Sequence, residues 1–84
     1  MAILNITYGG VSADYPLDHD VRLSDADVRR IAVEVLRAGG VRGMSFPGIT
    51  ERAFDNYVID RFAGPRGESR IYLRPKVPFG AVRA

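Results

Sequence analysis

Ile49-Thr50-Glu51-Arg52-Ala53-Phe54-Asp55-Asn56-Tyr57-Val58-Ile59-Asp60-Arg61-Phe62-Ala63 has two readings, and the choice between them decides the fold. As a single helix, Thr50 caps it, Phe54, Tyr57, Val58 and Phe62 form an apolar stripe, and Gly64-Pro65 ends it. As a turn followed by a strand, Asp55-Asn56 is the turn signal and Tyr57-Val58-Ile59 the β-rich run. The residues that follow favour the strand. Ala63-Gly64-Pro65-Arg66-Gly67-Glu68-Ser69 is rich in turn formers, and Arg70-Ile71-Tyr72-Leu73-Arg74 alternates apolar and polar. Two such runs around a short connection form a hairpin. The preferred reading is a short helical turn near 50–54, then a strand over Asn56–Phe62, then a strand over Arg70–Arg74.

Working outward toward the N-terminus, Ser24 to Gly40 reads as the one main helix, over 24–39. Val28, Ile31, Ala32, Val35 and Leu36 recur at the spacing of one helix face. Ser24 can cap the first amides, Asp25 and Asp27 lie at the positive end of the helix dipole, and Gly39 can close the helix in the left-handed conformation. Before it, Ala2–Tyr8 and Val11–Leu17 alternate on either side of Gly9-Gly10, the signature of a tight hairpin. Pro16 has no N–H to give a ladder, which places the second strand at an edge or ends it there. The helix is expected to pack across this hairpin. Met44 and Phe46, in the Gly- and Pro-rich stretch after the helix, are expected to tuck under its end, and Val77 and Phe79 to pack on the core. The fold class expected is α+β: a mixed sheet of about four strands against one helix, in a single domain over 1–80 with a loose tail at 81–84.

The 84 residues include no Cys, which excludes disulfides, thiolate metal sites and thiol nucleophiles. No charged lead followed by an apolar run opens the chain, so no secretory signal and a cytoplasmic location are expected, and the Asn5-Ile6-Thr7 sequon reads as chance. No apolar run reaches membrane-spanning length. The net charge of +2 is uneven: residues 1–40 carry −2 and residues 41–84 carry +4. An excess this small is ordinary for a solvated surface.

Few residues suggest chemistry. Asp18-His19-Asp20 holds the only His, and neighbours in an extended loop point apart, so neither a metal site nor a Ser-His-Asp arrangement follows. Gly39-Gly40-Val41-Arg42-Gly43 comes after the helix, whereas a phosphate-cradling loop precedes one. A non-enzyme with no cofactor and no metal is expected. Strand parity supplies a better candidate. If Leu4, Ile6, Ile71 and Leu73 face the helix, then Ile3, Asn5, Thr7, Arg70, Tyr72 and Arg74 share the opposite face, with Ser12 and Asp14 beside them. Arg70, Tyr72 and Arg74 are the expected partner-binding residues, with Arg66 and Lys76 at the rim, because Tyr and Arg supply contact area and directional hydrogen bonds. The expected role is a protein-interaction module or small subunit of a larger assembly. The alternatives are a nucleic-acid-binding surface built on the same residues and a solvated face with cross-strand Arg–acid pairs.

The order strand, Gly turn, strand, helix, loop, strand, strand resembles the ubiquitin-like β-grasp over the whole chain length. Met1 to Gly10 looks like that family's opening hairpin, Leu23 to Val28 like its capped helix start, and Glu68 to Arg74 like its last strand. The resemblance implies that the last strand lies beside the first, in parallel, at the sheet centre. It also implies a second alternative function, a protein modifier processed at its C-terminus. The modifiers of that family end in Gly-Gly, whereas this sequence ends Phe79-Gly80-Ala81-Val82-Arg83-Ala84 and has Lys76 as its single lysine.

Overall fold

The computed structural model describes residues 2–17, 22–41 and 43–76. The His19 loop, the packing expected of Val77 and Phe79, the Gly80 terminus and the 81–84 tail lie outside the described residues.

Strands β1 (Ala2–Tyr8) and β2 (Val11–Leu17) pair antiparallel about Gly9-Gly10. Both glycines have positive φ, +60° and +81°, as a two-residue turn compatible with strand twist requires. Helix α1 (Asp25–Ala38) starts on a reciprocal cap: the Ser24 hydroxyl accepts the Asp27 N–H at 3.1 Å, and the Asp27 carboxylate accepts the Ser24 N–H at 3.1 Å. It ends at Gly39, whose φ of +68° sends its N–H back to the last turn.

The deciding stretch divides as preferred. Glu51–Phe54 forms a single 3-10 turn, and β3 (Tyr57–Ala63) follows. β3 begins one residue later than the expected Asn56, although the Asn56 carbonyl still accepts the Lys76 N–H at 3.0 Å and so extends the ladder. The last strand, β4 (Ser69–Pro75), is one residue longer at each end than expected.

The sheet has the order β2-β1-β4-β3. β1 and β4 run parallel at its centre, with Leu4 beside Ile71 and Ile6 beside Leu73; β3 runs antiparallel to β4. Pro16 falls on the edge strand β2, where its missing N–H costs no ladder bond.

The core lies between α1 and the sheet. Leu4, Ile6, Ile71 and Leu73 are buried together with Val28, Ala32, Val35 and Leu36 of the helix, so α1 covers the sheet centre and not the hairpin alone. Ala13, Tyr15 and Leu17 of β2 are only partly buried against this cluster. Ile31 is also only half-buried, whereas Val33, off the expected stripe, is buried. Its burial widens the apolar face of α1 toward the connection that follows, which supplies Val41, Met44, Ile49 and Phe54 to the same core. Met44 is buried and Phe46 half-buried; the Phe46 N–H reaches the Leu36 carbonyl at 2.8 Å, which seats the connection under the helix end. The chain is therefore α+β, one helix over a four-stranded mixed sheet. No described helix is long and apolar enough to cross a membrane.

Candidate functional site

The sheet face away from α1 carries no covering element among the described residues. Because side chains alternate along each strand, the register assembles three rows across this face. Pro16, Ile3, Arg70 and Phe62 form the first, and Asp14, Asn5, Tyr72 and Asp60 the second; Ser12 beside Thr7 and Arg74 beside Val58 supply the third.

Most polar groups of the face are paired with one another. Asn5 Nδ2 donates to Asp14 Oδ1 at 2.8 Å, and the Thr7 and Ser12 hydroxyls share a hydrogen bond across the same two strands. Arg74 Nε donates to Asp60 Oδ2 at 2.7 Å, and a second guanidinium nitrogen reaches the same oxygen. Arg70 Nε donates to Glu68 Oε2 at 3.2 Å. The Glu68 carboxylate also accepts the Arg66 N–H at 3.0 Å and so fastens the turn between β3 and β4. Its pKa is held below the ordinary carboxylate value, first by its own backbone N–H and then by the Arg66 N–H and the Arg70 guanidinium. The Arg70 guanidinium is held above the ordinary arginine value, first by the Tyr72 hydroxyl and then by Glu68.

Two aromatic rings lie within this polar network. Phe62 is 58% exposed and meets Tyr72 edge to face, with ring centroids 5.7 Å apart. A shallow depression beside them is bounded by Asp60, Pro65, Arg70 and Arg74.

Of the five residues singled out from the sequence, Arg70, Tyr72 and Arg74 share the open face. Arg66 joins one end of it, where it lines a depression with Ile3, Pro65, Glu68 and Arg70. Lys76 lies past Pro75 at the opposite end of β4. A seven-residue strand spans roughly 20 Å, so no small ligand reaches both Arg66 and Lys76. Phe62 is the residue the parity reading missed. Once Ile59 is assigned to the helix face, alternation sends Phe62 to the open one. That assignment needs the β3–β4 register, which depends on the conformation of the Gly64–Glu68 turn.

Taken as a surface, the face presents an apolar pair, Phe62 on the edge strand and Tyr72 beside it, flanked on the sheet side by prepaired charges. Arg70 and Arg74 are set against Asp14, Asp60 and Glu68, so the face is not basic at its centre. Among the described residues no group of three or more His, Cys, Asp or Glu side chains is arranged to hold a metal ion. No family model, curated protein or solved structure matches this chain.

Proposed function

We propose that this chain is a non-catalytic docking domain of the ubiquitin-like β-grasp type, acting as an adaptor or small subunit that binds a protein through the open face of its sheet. The parallel β1–β4 centre and the single crossing helix support the architecture. The observation that carries the function is Phe62, a large apolar ring left 58% exposed beside Tyr72 at the margin of ordered polar pairs. Exposed aromatics ringed by directional polar groups are the usual anatomy of a protein interface.

The charge pairing weighs against nucleic acid on this face. A phosphate would have to displace Asp60 from Arg74 and Glu68 from Arg70, leaving those carboxylates beside the phosphate charge. One binding experiment separates the two readings. Tagged protein is incubated with lysate of its source, washed at low and high salt, and compared with Phe62→Ser and with a Tyr72→Ala/Arg74→Ala double variant. A discrete protein set retained at high salt by the parent and lost by both folded variants is the expected result. Equal retention by the folded variants refutes the reading. Nucleic acid released steeply by salt moves the function to the alternative.

A further inference from the structure

β3 is an edge strand, and its outer side has no backbone partner among the described residues. The ladder to β4 shows which groups are free. The Gly64 N–H donates to the Glu68 carbonyl at 2.7 Å, and the Lys76 N–H donates to the Asn56 carbonyl at 3.0 Å, so the hydrogen-bonded positions are even-numbered. Tyr57, Ile59, Arg61 and Ala63 therefore direct their N–H and C=O groups outward. The charged residues of this edge are Asp60 and Arg61 alone. Tyr57–Ala63 contains neither Pro nor Lys, whereas the opposite edge strand carries Pro16.

The side chains along β3 restrict what can pair with it. We propose that the occupant is the β3 strand of a second copy, joined antiparallel about a two-fold axis through Ile59 to give one continuous eight-stranded sheet. Self-pairing that keeps both open faces on one side must place identical residues at the axis. An axis at Asp60 overlaps all seven residues of β3 but sets Asp60 against Asp60. An axis at Arg61 overlaps five and sets Arg61 against Arg61. Like charges directly opposite are destabilising. An axis at Val58 avoids this but overlaps only three residues. The Ile59 axis overlaps five with no like pair. Ile59 meets Ile59, Val58 meets Asp60, and Tyr57 meets Arg61.

That last pair suits the chemistry already present. Arg61 donates to Asp25 of its own helix at 2.7 Å, and the incoming Tyr57 ring gives its guanidinium an aromatic neighbour without removing that carboxylate. The outward-facing positions Tyr57, Ile59 and Arg61 then fall in hydrogen-bonded pairs, giving about six backbone bonds across the seam. The inference is independent of what the open face binds.

The absence of Cys makes the register directly readable. Single substitutions Val58→Cys, Ile59→Cys, Asp60→Cys and Arg61→Cys each add one thiol to the chain. Opposed Cα atoms at a hydrogen-bonded pair lie about 5.5 Å apart, within disulfide reach. After mild oxidation, with folding checked by circular dichroism, Ile59→Cys is expected to link into a dimer at least tenfold faster than the other three. Parent protein in sedimentation equilibrium is expected to move from 9.3 kDa toward twice that mass as concentration rises. A monomer at every concentration overturns the proposal and leaves the edge to some other chain. Fastest linking at 58, 60 or 61 overturns the register, and a dimeric mass with no linking at any of the four places the dimer on another surface.

Discussion

Replacing Phe54 by Ala removes the largest fully buried side chain among the described residues. The ring closes the core at the end of the 3-10 turn, edge to face with Tyr57 at 5.0 Å and with Tyr8 at 5.9 Å between centroids. Truncating a buried Phe to Ala costs about 3–5 kcal/mol, and the two aromatic pairs place this site in the upper part of that range. An 84-residue domain has a total stability of about 4–13 kcal/mol. A loss of about 4.5 kcal/mol is therefore a third of the total or more, and at an unfolding entropy of roughly 0.18 kcal/mol/K it lowers Tm by about 25 °C. Urea unfolding followed by far-ultraviolet circular dichroism and tyrosine fluorescence measures it, there being no Trp. Because the Ala variant could fall below the folding threshold, Phe54→Leu is measured beside it, with an expected cost of about 1–2 kcal/mol. Phe62→Ala is the internal control: its ring is mostly exposed, so its cost should stay near 0.5 kcal/mol. If Phe54→Ala costs under 1 kcal/mol, or no more than Phe62→Ala, the 3-10 turn does not seat a core residue and residues 49–63 are not built as described.

The helix cap gives a pH signature. Asp27 is held below its ordinary value of 3.8, first by the Ser24 backbone N–H, then by the Ser24 hydroxyl and by Arg30. A lowered folded-state pKa adds stability that is present above 3.8 and lost as pH falls through the folded value. Asp27→Asn should remove this acid-side slope, and a denaturation midpoint that still falls identically between pH 5 and 2 would refute it. Ser24→Ala should cost about 1 kcal/mol at neutral pH. Glu68 is lowered in the same sense, so Glu68→Gln should also flatten the acid limb. Gly64→Ala should loosen the turn that Glu68 fastens, because an added Cβ would occupy the space of the Glu68 carboxylate. Amide exchange of Arg66, whose N–H that carboxylate accepts, should accelerate in both variants, and unchanged protection would count against the clasp.

Much of the architecture follows from local signals. The hairpin is legible because Gly9 and Gly10 are the residues that tolerate two consecutive positive φ values, and the alternation on either side can bury only one face. The helix is legible because Ser24, Asp27 and Gly39 satisfy its terminal groups at the positions where its apolar stripe begins and ends. These interactions span only a few residues. The same parity reading places Arg70, Tyr72 and Arg74 on one face, since alternation within a strand needs no knowledge of its neighbours.

What the chain did locally stops at distances larger than a turn. Residues 49–63 have nearly equal helical and strand patterns; the pairing of Ile59 with Leu73 and Arg61 with Ile71, and the burial of Phe54, selects the strand. Val33 lies outside the helical stripe and is buried because the 41–54 connection widens the face that α1 must cover. Phe62 could not be assigned to the open face from its own segment, because its direction depends on the register set across the Gly64–Glu68 turn. The separation of Arg66 from Lys76 likewise depends on β4 running straight between them. Local propensity and capping are short-range free energies that sequence order alone determines, whereas register, burial and the neighbours of an exposed ring depend on contacts between residues far apart in the chain, which only the assembled sheet brings together.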